Sequence, residues 1–206
     1  MTVVVKEENP DSPKIVASVL NNGGIIIYPT ETLYGLGALA VNEESAKKVF
    51  DIKGRLQANP IPILVRDKDM LSEYVEVTDE ADRLIEKFLP GPLTLVLKEK
   101  KNLPHFISAG TGNIAIRISR HPFVRRLFDF LSKPITSTSA NISGQENLFS
   151  FDEIYKTFNS KVELIVDSGN IPQSKGSTVI DLTVKPALII REGDISGEEL
   201  KRFIKI

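Results

Sequence analysis

The chain has 206 residues, 41% hydrophobic and 26% charged, with a formal net charge of -1 and no cysteine. This composition excludes a disordered chain, disulfides, thiol nucleophiles and cysteine metal sites, and it leaves any nucleic-acid contact to a local patch instead of an overall basic field. Met1 to Pro10 lacks the cationic and apolar regions of a secretory signal and no apolar run approaches the roughly 20 residues of a membrane span, so the expectation is a cytoplasmic enzyme, one domain over residues 1–206.

Asp11 and Ser12 followed by Pro13 predict a helix start, with Ile15, Val16, Val19 and Leu20 as its apolar stripe and Gly23 as its end. Gly23-Gly24 and Pro29 then bracket an apolar run too short for a helix. A buried strand is expected there, delivering the polar loop Thr30-Glu31-Thr32-Leu33-Tyr34-Gly35-Leu36-Gly37 past its carboxyl end, where open α/β sheets bind ligands. The hydroxyls of Thr30 and Thr32 have two readings: contacts to a ligand, or bonds to their own turn. The next helix begins at Asn42, carries Glu43 and Glu44 in its first turn, buries Ala46, Val49 and Phe50, and runs out near Lys53-Gly54. Thr78 precedes a helix with Leu84, Ile85 and Phe88 on one side, another helix is expected at 121–131, and Ser150-x-x-Glu153 and Ser196-x-x-Glu199 resemble capping boxes. Strands are expected near 61–66, 93–98, 113–119, 134–138, 162–166, 177–183 and 187–191. Several of them lack an intervening helix, which predicts a mixed α/β class: a twisted mixed sheet covered by helices.

Three clusters can carry chemistry. Lys53-Gly54-Arg55 places two long cations at a helix end with a glycine between them, suited either to converge on a phosphate or to answer the helix dipole in solvent. Thr136-Ser137-Thr138-Ser139-Ala140-Asn141-Ile142-Ser143 packs five hydroxyls and an amide into eight residues, more than a turn requires. In Asn113 to Ser119, Ile114, Ile116 and Ile118 share one face, so Arg117 points to the other; it suits a carboxylate if that face lines a cleft and is ordinary if it faces water. Ser177, Thr178 and Arg191 carry the same ambiguity. Neither a Walker A sequence nor GxGxxG is present, and His105 and His121 have no metal-ligand spacing. Asp181 and Glu31 offer oxygens to magnesium, an ion that often relies on substrate phosphates and water, and no dedicated metal site is expected.

Pro29-Thr30-Glu31-Thr32-Leu33-Tyr34-Gly35-Leu36-Gly37, Lys53-Gly54-Arg55, Pro90-Gly91-Pro92-Leu93-Thr94, Ser139-Ala140-Asn141 and Gly176-Ser177-Thr178 resemble, in order and spacing over almost the whole chain, the YrdC family. The resemblance implies a YrdC-like fold with a concave ligand-binding cleft and threonylcarbamoyl-AMP synthase activity, a nucleotidyl transfer from ATP, with magnesium, to L-threonine and bicarbonate. Other enzymes, a downstream threonylcarbamoyl-transferase complex, would then pass the group to tRNA. It also implies that Thr30, Tyr34, Arg117, Ser137 and Ser177 bind threonine, and that Lys53, Arg55, Asn59, Asn113, Ser139, Asn141 and Arg191 bind ATP, with Lys53 and Arg55 catalytic.

Leu56 and Glu192 stand where the family often has proline, and Leu64 where many longer members have histidine; the chain resembles the short, single-domain form. The competing reading is a double-stranded RNA or tRNA binding module without synthase activity, using Lys98, Lys100, Lys101, Arg120, Arg125 and Arg126. These cations lack the interleaved aromatics of a base-stacking platform.

Overall fold

The computed structural model describes residues 1–54 and 60–206. In chain order the elements are β1 (Val3–Lys6), α1 (Ser12–Asn21), β2 (Ile26–Tyr28), β3 (Gly35–Gly37), α2 (Glu43–Lys53), β4 (Ile63–Leu64), α3 (Lys68–Tyr74), α4 (Asp79–Phe88) and β5 (Leu93–Lys98). They continue with β6 (Asn113–Arg117), α5 (Pro122–Leu127), β7 (Ile135–Thr136), β8 (Thr138–Ser139), α6 (Phe151–Phe158), β9 (Leu164–Asp167), β10 (Thr178–Asp181), β11 (Leu188–Arg191) and α7 (Gly197–Leu200).

The mixed α/β class holds, but the strands divide between two mixed sheets where a single sheet was expected. One has the order β1-β9-β2-β3-β8 and the other β11-β10-β5-β6-β4-β7. The division falls inside the stretch expected to be one strand at 134–138. Thr136 belongs to β7, at the edge of the second sheet, and Thr138 to β8, at the edge of the first. Ser137, between them, donates its backbone N–H to Pro62 O at 2.7 Å. The sheets are stitched at this crossing by Thr136 N to Ala38 O (2.8 Å) and Ala38 N to Thr136 Oγ1 (3.0 Å).

Local signals account for most helix ends. The Asn42 side chain accepts from Ser45 N, and α2 stops at Gly54 in the left-handed region (φ 60°), where glycine carries no Cβ penalty. Thr78 caps α4, and Ser150 with Glu153 forms a full reciprocal box on α6. At Ser196 the side chain caps Glu199 N. Asp11 makes no side-chain cap on α1; Ser12 instead donates to Lys6 O at 2.6 Å.

Two clusters of buried side chains form the core, one containing Val16, Leu20, Ile114, Ile116 and Phe123, the other Ile25, Ile27, Phe50 and Phe158. The glycines of the 30–37 loop have a packing role. Tyr28 pairs with Gly35 in the antiparallel β2–β3 ladder, and a Cβ on Gly35 would lie 2.8 Å from Tyr28 Cζ; on Gly37 it would lie 2.7 Å from Cε1. The tyrosine ring thus lies across a glycine strand, and its hydroxyl donates to Thr136 O at 3.3 Å.

Candidate active site

The two sheets and their connecting loops line a half-open cavity of about 810 Å³. Thr30, Tyr34, Lys53, Asn113, Arg117, Ser137, Ser139, Asn141, Ser177 and Arg191 all line it. Arg55 and Asn59, and the departure at Leu56, lie outside the described residues.

Lys53 enters from the last turn of α2. The helix runs from the Asn42 cap with its apolar face buried, so its final side chain is carried inward, and Lys53 is only 3% exposed. Its ammonium donates to Ser139 O (2.5 Å), Asn141 O (2.9 Å) and Asn141 Oδ1 (3.0 Å). Ser139 Oγ donates to the same Asn141 Oδ1 at 2.7 Å, and Asn141 Nδ2 donates to Gln145 O at 2.7 Å. The lysine and the serine–asparagine motif therefore form one hydrogen-bonded corner, although 86 residues separate Lys53 from Ser139.

Arg117 ends β6, on the face opposite the buried isoleucines, and that face lines the cavity. The guanidinium donates from Nε to Gly91 O (3.0 Å) and from Nη1 to Thr32 Oγ1 (3.1 Å), and Nη2 lies 2.8 Å from Glu31 Oε1. Glu31 also accepts from Ser119 Oγ (2.5 Å) and Arg120 N (3.1 Å). Burial pushes the Glu31 carboxyl up, but the Arg117 charge and these hydrogen bonds outweigh it and hold the group below the usual carboxylate range.

A third corner joins Ser177 to Arg191. Arg191 donates to Ser177 O from Nε (3.2 Å) and Nη2 (2.7 Å) and to Ser177 Oγ (3.2 Å), and Ser177 Oγ lies 2.8 Å from Thr94 Oγ1. Burial, and then the nearby Arg117 charge, lower the pKa of Arg191. Glu192, beside it, turns away and accepts from Gly197 N at 3.0 Å.

Two predicted hydroxyls are already committed. Thr30 Oγ1 donates to Leu33 O (2.6 Å) and accepts from Leu33 N (3.1 Å) and Thr32 N (3.2 Å), so its hydroxyl builds the turn. The Tyr34 hydroxyl donates to Gly169 O (2.9 Å) and accepts from Ser168 N (3.1 Å); burial pushes its pKa up to about 12, leaving it neutral. Asn113 Nδ2 reaches only Thr183 Oγ1, at 3.4 Å. Thr32, left open from sequence between ligand and turn, lines the cavity and accepts from Arg117; Thr94 was not singled out as a site residue and also lines the cavity, the Pro90 to Thr94 motif being the available signal.

Comparison with known proteins adds to this geometry. A family model spanning Sua5, YciO and YrdC, described as telomere recombination, matches residues 18–193. The chain belongs to this family. A relative from Methanocaldococcus jannaschii is 41% identical over 204 residues, covering 97% of this chain and 96% of its own. One from Pyrococcus abyssi, named threonylcarbamoyl-AMP synthase, is 37% identical over 192 residues, 93% of this chain and 56% of its own. The P. abyssi Sua5 structure in complex with L-threonine superposes with a TM-score of 0.92 at 34% identity, over all of this chain and 62% of the other. The chain thus spans little more than half the length of the Pyrococcus relative and nearly all of the Methanocaldococcus one.

Within this family member, Leu64 is fully buried in β4, paired with Arg117 across the parallel ladder, and belongs to the core. The cations considered for RNA binding fall on separate segments. Lys98 ends β5 and Lys100 is tied to Ser72 O, whereas Arg125 and Arg126 lie on α5 with Arg126 donating to Glu7 O. Among the described residues, no helix is long and apolar enough to cross a membrane.

Proposed function

We propose that the protein is an L-threonylcarbamoyladenylate synthase, joining L-threonine, bicarbonate and ATP into threonylcarbamoyl-AMP with release of pyrophosphate and water, for threonylcarbamoyladenosine modification of tRNA. The observation that carries this reading is a single cavity onto which a buried lysine, set among serine and asparagine groups, and a buried arginine both open. A polyphosphate and an amino-acid carboxylate require two such anchors within reach of one another.

In this reading Arg117 takes the threonine carboxylate, with Thr30, Tyr34, Ser137 and Ser177 shaping the pocket. Thr30 and Tyr34 contribute walls and backbone order, since their hydroxyls are occupied. Lys53, Ser139 and Asn141 hold phosphate oxygens, with Arg191 and Asn113 bordering the nucleotide; the roles of Arg55 and Asn59 rest on the sequence resemblance alone. The threonine amine adds to bicarbonate and water leaves, giving a carbamate. A carbamate oxygen then attacks the α-phosphorus as the bond to pyrophosphate breaks. Lys53 stabilises the charge developing on the phosphates, and binding in one cavity brings the carbamate and nucleotide together.

Magnesium is expected to arrive with ATP. Among the described residues, no three His, Cys, Asp or Glu side chains converge, and the one carboxylate lining the cavity, Asp181, already accepts from Thr183 N (2.8 Å) and Thr183 Oγ1 (2.6 Å). That donor set fits an ion carried by phosphate oxygens and water, where it would neutralise triphosphate charge. tRNA and a transferase complex are the proposed downstream partners.

The test is incubation of the purified protein with ATP, magnesium, labelled bicarbonate and either L-threonine or L-serine. The expected result is a threonine-dependent labelled aminoacyl-carbamoyl-AMP with matching pyrophosphate. Folded protein that makes no product with either amino acid would remove this reading and bring forward the tRNA-binding one.

A further inference from the structure

Glu31 stands behind the cavity wall, and both oxygens of its carboxylate are engaged. Oε1 lies 2.8 Å from Arg117 Nη2 and accepts from Arg120 N, while Oε2 accepts from Ser119 Oγ. The two side chains are 8% and 7% exposed, so solvent screens their attraction weakly. Ser119 Oγ also accepts from His121 N at 3.1 Å, which ties the network to the start of α5. Arg117 is held in addition by Gly91 O and Thr32 Oγ1. Two chain segments therefore hold the guanidinium, the 29–34 loop and the turn at Gly91, and a third, the connection from β6 to α5, holds the Glu31 carboxylate beside it.

A carboxylate so placed has a cost for anion binding, because it cancels part of the arginine's charge. What it supplies is direction. A long arginine side chain at a strand end otherwise samples several rotamers, and ordering it at the moment of binding would weaken affinity. We propose that Glu31 is a positioning residue, which fixes the Arg117 guanidinium in the orientation that receives the carboxylate of the amino-acid substrate and touches neither substrate nor magnesium. The inference rests on the synthase reading for the identity of that substrate. It also separates Glu31 from Asp181, the other acid that sequence offered to magnesium: Asp181 lines the cavity, and Glu31 does not.

The hydrogen-bond pattern sets the test. In Glu31→Gln the amide oxygen can accept from Arg120 N while the amide nitrogen donates to Ser119 Oγ, so the side chain keeps its place beside Arg117 without the charge. In Glu31→Ala the contacts to Arg117, Arg120 and Ser119 are lost together, and Arg117 keeps Gly91 O and Thr32 Oγ1. L-threonine and ATP are titrated separately into the wild type and each variant by calorimetry, with steady-state kinetics alongside. Glu31→Ala is expected to weaken threonine about tenfold or more, to raise the threonine KM far more than it changes kcat, and to leave ATP affinity within about twofold; Glu31→Gln is expected to restore part of the loss.

If Glu31→Ala does not fold, Ser119→Ala removes one anchor of the carboxylate and is expected to weaken threonine about threefold with ATP affinity unaltered. Unchanged threonine affinity in whichever of these two variants folds, equal losses for threonine and ATP, or Glu31→Gln as damaged as Glu31→Ala would overturn the positioning role. A wild type that binds no threonine strikes the synthase reading itself. Normal wild-type binding with an unaffected Glu31→Ala strikes only this inference.

Discussion

Lys53 and Arg117 are both buried cations opening onto one cavity, yet they are held in opposite ways. Lys53 donates to two carbonyl oxygens and one amide oxygen, whereas Arg117 meets a carboxylate, a carbonyl and a hydroxyl. Neutral oxygens satisfy an ammonium's hydrogen bonds while leaving its net charge to act on an incoming anion, and that field is strong where water is scarce. A carboxylate partner cancels part of the charge and fixes a planar group in one orientation. The first arrangement suits a polyphosphate, which demands charge; the second suits a single carboxylate, which demands alignment.

If the lysine corner supplies field, its removal should have the largest effect on rate. Lys53→Ala is expected to lower pyrophosphate release about 100- to 1,000-fold with the fold retained, as read by turnover and circular dichroism. A rate near wild type would end the comparison on the lysine side. If the arginine corner is a matched pair, its disruption should appear in stability as well as binding. Arg117→Ala leaves Glu31 buried beside an empty space and should cost about 3–5 kcal/mol in urea unfolding, with part of the loss recovered in the Arg117→Ala, Glu31→Ala double variant.

The glycine strand between the corners provides a third check. Gly35→Ala drives a methyl into the Tyr28 ring, expected to cost about 1–3 kcal/mol by chemical denaturation. Loss of the α2 cap in Asn42→Ala should cost about 1 kcal/mol, with the catalytic rate of the folded fraction nearly unchanged because Lys53 lies at the other end of the helix. The smallest effect concerns pH. The Glu31 pKa is depressed on folding, so its stabilising contribution is complete above the ordinary value of 4.5 and is lost as pH falls through the lower folded value. Thermal melting between pH 7 and pH 3 should therefore show a shallower acid-side decline in Glu31→Gln than in the wild type.

Much of the fold could be read locally. Apolar period and caps located α2, α4, α6 and the strand at Leu93–Lys98, because hydrogen bonds at helix ends and alternation along strands are properties of neighbouring residues. Elements escaped where burial left no regular pattern. β1 is an edge strand with Val3 and Val4 exposed, and β3 is two glycines around one leucine, whose pairing depends on the Tyr28 ring above them. Residues 134–138 read as one strand because period-two alternation says nothing about which sheet receives each end.

The candidate site divides in the same way. Sequence alone established the cationic pair at the end of α2, the crowding of hydroxyls before Asn141, and the placement of Arg117 opposite the buried isoleucines, since each follows from residue type and local period. It left open whether Thr30 serves a ligand or its turn, and whether the Arg117 face meets water or a cleft. Tertiary structure decided that Thr30 Oγ1 serves the turn, that Glu31 reaches Arg117 across 86 positions, and that Lys53 rests on the Ser139–Asn141 backbone. The physical reason is that a residue's conformational preference and face are set by its neighbours, whereas its partners across a cavity are set by how the two sheets cross at Ser137, a long-range arrangement that no short window of the chain contains.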